Sequence, residues 1–276
     1  MSNRYRALWI SDVHLGSRDS EPQRLADFLA QNTADTVYLV GDIFDMKAMS
    51  QGKGSWCHAS SLLLEMLSDL STRVPEIIYV PGNHDAPMRS WAGKRLGNIR
   101  IEREWTHTAA DGKRYWVTHG DQFEHHIEIN PVSYHIGDHS YYLMLRFNRW
   151  INYWRSRFDK PWWSLANHVK NRVHAARKMM NKFEEVAIRE TGRRGYDGVI
   201  CGHIHRAGIR HSAAPTELPK EPAAAPVEKS PVTYANCGDW VDSMTAIVEE
   251  KNGALDVLHW HRTPKIARIM TEAVAA

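Results

Sequence analysis

Cysteine is scarce in this chain of 276 residues. Cys57, Cys201 and Cys237 are an odd number, and no C-x-x-C pair occurs. That argues against a disulfide framework or a zinc ribbon and for a reducing compartment. Long apolar runs are missing as well. No stretch of about 18 apolar residues is present, so the pattern offers no membrane-spanning helix. The N-terminal MSNRYRALWISD lacks a charged region followed by an apolar one. No secretory signal is read there, and the expected location is the cytoplasm. Charge of one sign is also lacking overall. The net charge of +3 makes no general basic field for an acidic polymer.

What is present is ordinary in bulk and unusual in detail. Apolar residues make up 43% and charged residues 24% of the chain. Those fractions and the length suit one large domain over 1–276 with a sizeable core. The 16 His and 11 Trp stand out. Many His suggest metal or proton chemistry, so their placement decides their meaning.

The first third alternates in period. Tyr5–Ile10, Thr36–Val40 and Ile77–Val80 read as short buried strands. Gln23–Gln31 and His58–Thr72 between them read as helices, with Leu25, Phe28 and Leu29 on the first and Leu62, Leu63, Met66, Leu67 and Leu70 on the second. This order predicts an α/β fold with a mainly parallel sheet. Trp105–His107 and Arg114–Thr118 flank Asp111-Gly112, a hairpin signal. Later strands are expected at Val199–Cys201, Val232–Ala235, Met244–Val248 and Leu255–Trp260. Residues 139–191 read as a helical insertion divided at Pro161. Residues 211–231, rich in Pro and Ala, read as a flexible surface loop.

One event recurs five times. An apolar strand ends, and polar residues able to ligate a metal follow: Asp12 and His14, Asp42, Asn83 and His84, His119, and His203 with His205. Ligand crevices of open α/β sheets lie beyond the carboxyl ends of the strands, so five ends would converge on one site. Nitrogen and oxygen donors of this kind suit Mn, Fe or Zn. A carboxylate such as Asp42 can bridge two ions. Two ions about 4 Å apart can activate water and neutralise phosphate oxygens. Any one of these residues alone would more often be a turn-capping polar group. Asp45 and Asp121 are read in that way. His107, His125, His126, His135, His139, His168 and His174 are read as exposed polar residues, and Cys201 as a small buried strand residue.

The series Asp12-Val-His14, Gly41-Asp42-Ile-Phe-Asp45, Gly82-Asn83-His84-Asp85, His119-Gly120-Asp121 and Gly202-His203-Ile-His205 resembles the calcineurin-like metallophosphoesterase superfamily in content and order. The resemblance spans residues 9–205. It implies a four-layered α/β/β/α sandwich and a two-metal phosphohydrolase, Mn2+ being favoured over Fe or Zn. By the same resemblance, Asp12, His14 and His205 hold one ion, Asn83, His119 and His203 the other, and Asp42 bridges them. His84 resembles the family's histidine that contacts phosphate and protonates the leaving group. Asp85, next to it, is expected to orient the His84 ring.

The insertion narrows the resemblance. Residues 139–195 carry thirteen Lys or Arg against four Asp or Glu, a net of +9, which leaves −6 for the rest of the chain. Trp150, Trp154, Trp162, Trp163, Tyr141 and Phe147 lie among those charges. Such helices suit an anionic lipid surface or a lipid-phosphate pocket, and would form a lid or side wall of the site. The insertion and a late Gly238-Asp239-Trp240 are similar to UDP-2,3-diacylglucosamine pyrophosphatases, enzymes of lipid A synthesis that release UMP. The resemblance implies a lipid-linked nucleotide substrate and peripheral association with the inner membrane. Gly82-Asn83-His84-Asp85 departs from that subfamily, where Arg commonly stands in place of His. Other phosphodiesters remain alternative substrates. Nucleic acid is disfavoured because the basic residues lie among Trp-rich patches. A non-catalytic binding module is disfavoured because every ligand position is filled.

Overall fold

The computed structural model describes residues 3–127, 174–212 and 231–260, with residues 148, 150–152, 154, 155, 157, 158, 160 and 163. Strand β1 (Asn3–Ile10) leads through helix α1 (Pro22–Gln31) to β2 (Asn32–Val40). The short α2 (Met46–Ser50) and the longer α3 (His58–Arg73) precede β3 (Glu76–Val80). Then come β4 (Arg95–Leu96), β5 (Ile99–Ile101), β6 (Trp105–Thr108) and β7 (Arg114–Val117). Helix α4 (His174–Arg193) is followed by β8 (Gly198–Cys201), β9 (Gly208–Ser212), β10 (Val232–Asn236), β11 (Thr245–Glu249) and β12 (Leu255–His259).

Two sheets result. The first has the order β12-β11-β1-β2-β3-β5-β4, with β1, β2, β3 and β5 parallel and β11, β12 and β4 antiparallel to their neighbours. The second has the order β6-β7-β8-β10-β9, with β7, β8 and β10 parallel between two antiparallel edges. Both sheets are therefore mixed. Hairpin partners at the edges need only short connections, whereas each parallel neighbour needs a crossover.

The continuous apolar ends of β1, β2 and β3 are covered on both faces, as parallel strands require. On the outer face, α1 contributes Leu25, Phe28 and Leu29, and α3 contributes Leu63, Leu67 and Leu70, to a core with Leu8, Val37 and Ile77. Pro22 at the start of α1 presets the helical φ and needs no amide partner there. On the inner face, Ala7, Trp9, Tyr38, Val40, Ile78 and Val80 pack with Tyr115, Val117, Ile200 and Ala235 of the second sheet. Beyond that sheet, Phe183, Val186 and Ala187 of α4 cover Trp116, Val199 and Cys201. The layers run helix, sheet, sheet, helix, the expected four.

A buried polar group fastens the two sheets. Glu249 is fully buried, and it accepts from Arg6 at 2.7 Å, from His107 Nε2 at 2.8 Å and from the amide of Ala110 at 2.8 Å. Tyr38 Oη lies 2.8 Å from His107 Nδ1, and Trp9 stacks on Tyr38. Burial pushes the Glu249 pKa up, but its bonds to His107, Ala110 and Arg6 bring it below the usual value. His107 is thus an intersheet residue, not the exposed one its composition suggested. His125 and His126 are exposed, and Cys201 is buried.

Several sequence readings need amendment. Strands β4, β5 and β9 carried no pattern strong enough to read. His211 and Ser212, taken as loop, complete β9, while the rest of that loop up to 230 lies outside the described residues. In the insertion, the described residues 148, 150–152, 154, 155 and 157 are helical, and α4 continues to Arg193. The remainder of 139–173, with Pro161, lies outside the described residues, as do His135, His139 and His168. No described helix is long and apolar enough to cross a membrane.

Candidate metal centre

Five strands end at one edge. Asp12 and His14 follow β1, Asp42 follows β2, and Asn83 and His84 follow β3 in the first sheet. His119 follows β7, and His203 and His205 follow β8 in the second. The centre therefore straddles the seam between the sheets.

The backbone is bent to make this possible. Asp12 (φ 53), His14 (φ 50), Asp42 (φ 52), His203 (φ 71) and His205 (φ 51) all adopt the left-handed region. Met244 is the sixth non-glycine residue there among those described. Such a conformation costs roughly 1–2 kcal/mol per residue, so five at one site mark a strained, over-determined loop cluster. Glycine is required where these loops touch. A Cβ on Gly41 would collide with the His119 ring, and one on Gly82 would collide with the Asp42 carboxylate.

Three groups of side chains converge: Asp12, His14 and His205; Asp42, His119 and His203; and His14, Asp45 and His84. Asp42 joins the first two. Its Oδ1 accepts the amide of His84 at 2.7 Å. Its Oδ2 lies 3.4 Å from His119 Nε2 and 3.8 Å from His14 Nε2, between the two clusters. A single oxygen, rather than the pair, thus faces both. Asp12 is arranged alike: Oδ2 accepts the amide of His203 at 3.0 Å, and Oδ1 lies 3.1 Å from His205 Nε2. Asn83 Oδ1 stands 3.2 Å from His119 Nε2.

The rings are held from behind. His119 Nδ1 is 3.0 Å from the Val40 carbonyl, which can only accept, so Nδ1 carries a proton and Nε2 is the nitrogen turned to the centre. Asp45 faces two rings, with Oδ2 3.5 Å from His14 Nδ1 and Oδ1 2.9 Å from His84 Nδ1. That frees Nε2 of both. The third group is therefore a carboxylate orienting two imidazoles.

The residues fit divalent cations. Asp12 Oδ1, His14 Nε2 and His203 Nε2 are buried without a hydrogen-bond partner, and such atoms are costly unless something satisfies them. Glu124 Oε1 comes within 2.9 Å of His203 Nε2 but not in hydrogen-bonding geometry. Without a cation the centre must balance itself by protons. Burial opposes charge on His14 and His119, yet Asp45, Asp42 and Asp12 outweigh it for His14, and Asp42 and Asp12 for His119. Their pKa values rise to about 9 and about 10. Burial likewise opposes the Asp12 carboxylate, but His205 and His119 pull its pKa down to about 2. Asp42 is held well below its usual value by His119, His14 and His84 against the same burial.

The profile of the calcineurin-like phosphoesterases matches residues 5–207. The chain belongs to the calcineurin-like phosphoesterase family. No match was found among curated proteins. Solved structures with some likeness include a Vps29 single mutant from Entamoeba histolytica, 12% identical, covering 93% of this chain and 99% of that one, at a TM-score of 0.39. Vps29 from Cryptosporidium parvum is 12% identical, with coverage of 93% and 97% and a TM-score of 0.38. A predicted phosphoesterase from Streptococcus pneumoniae is 12% identical, with coverage of 92% and 96% and a TM-score of 0.32.

Family membership makes Asp85 the instructive exception. It was expected to orient His84, and it does not: Asp45 occupies that ring nitrogen. Asp85 is fully buried, and its carboxylate accepts from Gly82 N, from Asp42 N at 3.2 Å, from Ile43 N at 2.8 Å and from the Tyr79 hydroxyl. It ties the loop after β2 to the loop after β3. Burial, then Asp42, raises its pKa. Asp45 does cap α2 through Ala48 N, as read, but also acts on His14 and His84. The last residue of the Gly41-Asp42-Ile-Phe-Asp45 motif was the available signal.

Two supports were not read as such from the sequence, although Asp239 lies in the late Gly238-Asp239-Trp240 motif. Asn236 at the end of β10 donates to the Gly202 carbonyl at 2.6 Å and accepts the Gly238 amide at 3.0 Å. Asp239 accepts the amides of Val241, Asp242 and Ser243, forming a tight turn whose Trp240 amide bonds the Asp12 carbonyl at 3.0 Å. The insertion reaches this turn, because the buried Asn148 donates to Asp242 at 2.7 Å.

Proposed function

We propose that this phosphoesterase hydrolyses the pyrophosphate of a lipid-linked nucleotide, UDP-2,3-diacylglucosamine or a close relative, and releases UMP. The observation that carries the phosphohydrolase reading is the pair of nitrogen and oxygen clusters sharing Asp42 Oδ2 across the sheet seam. In this reading Asp12, His14 and His205 hold one divalent ion, Asn83, His119 and His203 the other, and Asp42 both. Mn2+ is favoured, with Fe or Zn compatible with the same donors. When bound, such ions would neutralise phosphate oxygens and lower the pKa of a water.

The chain's own residues supply geometry and one proton. Asp45 fixes the His84 ring at Nδ1, so Nε2 is the nitrogen that faces substrate. As water attacks phosphorus and the bond to the leaving oxygen breaks, a proton from His84 Nε2 goes to that oxygen. The water's proton leaves in exchange, so the charges balance.

Support for a lipid comes from the insertion. Trp150, Trp154 and Phe158, four residues apart, are 58%, 49% and 70% exposed, and Arg157 and Lys160 are exposed beside them. Apolar rings amid cations suit the face of an anionic membrane, which supports a peripheral location on the cytoplasmic side. Asn148 anchors that segment to the turn beside the centre.

The test is product analysis with UDP-2,3-diacylglucosamine and Mn2+, with Asp42→Ala as the control. UMP release by the wild type alone is expected. Mn2+-dependent turnover of a generic phosphodiester without UMP release would keep the chemistry and remove this substrate.

A further inference from the structure

A cleft of about 240 Å3 opens next to His119. Its walls include Arg89, Arg103 and Arg194 with Asp121 and Glu104. Two of the arginines are already matched. Arg89 contacts both oxygens of Asp121 at 2.8 Å, and Arg194 contacts both oxygens of Glu104 at 3.0 Å. Arg194 also lies over the Trp116 ring at 4.0 Å, and the Trp116 indole N–H holds Glu104 at 3.0 Å. Both pairs are thereby fixed in place. Arg103 is exposed and has no hydrogen bond or ion pair among the described residues. The cleft keeps one uncompensated guanidinium.

Its position relates it to the metal centre. Arg103 sits two residues before Trp105, which pairs with Val117 at the end of β7. His119 follows Val117 by two residues, so Arg103 and His119 share one sheet edge. Pro81, which also lines the cleft, directly precedes the Gly82-Asn83 loop. Asp121, on the cleft wall, is near enough to act on the charge of His119. A planar guanidinium with free donors, at the rim of a centre that takes one phosphate, is suited to an adjoining anion.

We propose that this cleft binds a second anionic group of the substrate, the phosphate of a diphosphate that is not attacked. The inference rests on the phosphohydrolase reading for what occupies the metal centre. It assigns Arg103 as the residue that distinguishes a diphosphate from a simple diester.

The experiment uses the full chain with its bound ions and titrates methylenediphosphonate and methylphosphonate by calorimetry. Arg103→Gln is expected to weaken the diphosphonate about tenfold, as loss of a charge-assisted contact does, and to weaken the monophosphonate less than about twofold. Equal losses for the two ligands, or none for the diphosphonate, would overturn the proposal. With turnover, Arg103→Gln should raise KM for a nucleoside diphosphate sugar while leaving kcat and hydrolysis of bis(p-nitrophenyl) phosphate unchanged. Equal effects on both substrates would also overturn it. Failure of the hydrolase reading alone would look different: no turnover by the wild type, with the Arg103-dependent diphosphonate preference intact.

Discussion

Replacing Asp85 by Ala separates a positioning role from a chemical one. The carboxylate satisfies the amides of Gly82, Asp42 and Ile43 and the Tyr79 hydroxyl, all in a fully buried place. Alanine leaves those donors stranded at about 1–3 kcal/mol for each that finds no water. Part of the loss is returned, because burial and Asp42 already disfavour this carboxylate's charge. A net destabilisation of about 3–5 kcal/mol is expected. At roughly 2.1 cal/mol/K per residue, that lowers Tm by about 5–9 °C in a chain of this length. Thermal unfolding and metal content should be measured together. The variant should melt early and bind metal weakly, because Asp42 and Asn83 sit on the two loops that Asp85 joins. An unchanged Tm with normal metal content and abolished turnover would refute this reasoning and make Asp85 a participant in the reaction.

Three further outcomes follow from the geometry. Asp45→Asn should lower kcat for a generic diester by about 10–100-fold with little change in KM, since His84 loses its orienting partner; a pure KM effect would contradict that role. His205→Gly should be more stable than His205→Ala by about 1 kcal/mol in the metal-free protein, because both lose the ligand but only Gly relaxes the backbone at φ 51; equal denaturation midpoints would argue against stored strain. Metal binding at pH 7.5 should release about two protons, those of His14 and His119, whose metal-free pKa values lie near 9 and 10. Calorimetry in buffers of different ionisation heat reads this number, and a buffer-independent enthalpy would refute it. The sign is that raising pH toward 9 strengthens apparent affinity, while stability contributed by these two charged rings is lost over the same rise.

Much of the centre was legible because its residues are punctuation. Asp12, Asp42, Asn83, His119 and His203 each stand just past an apolar run, and period alone places such ends at one sheet edge. The helices over α1 and α3 were legible for the same reason, with Leu25 and Phe28 or Leu63, Leu67 and Leu70 recurring at helical spacing. What escaped depends on distance in sequence. His107 looked exposed because its partners, Tyr38 and Glu249, lie 69 and 142 residues away. Asp85 looked like a ring partner because it adjoins His84, yet the loop turns its carboxylate back onto amides 42 and 43. Strands β4 and β9 lie at sheet edges, and β4 and β5 have only two and three residues, so no alternation marks them.

Both clusters draw donors from both sheets: Asp12, His14, Asp42 and Asn83 from one, and His119, His203 and His205 from the other. No short fragment of the chain carries all the donors of either cluster. The full donor set appears only once β7 and β8 have docked against β1, β2 and β3, with Asp12 and His203 191 residues apart in the chain. Ions held as proposed would meet a full donor set only after this docking, so the rate at which tight metal binding appears would time the closure of the two sheets on one another.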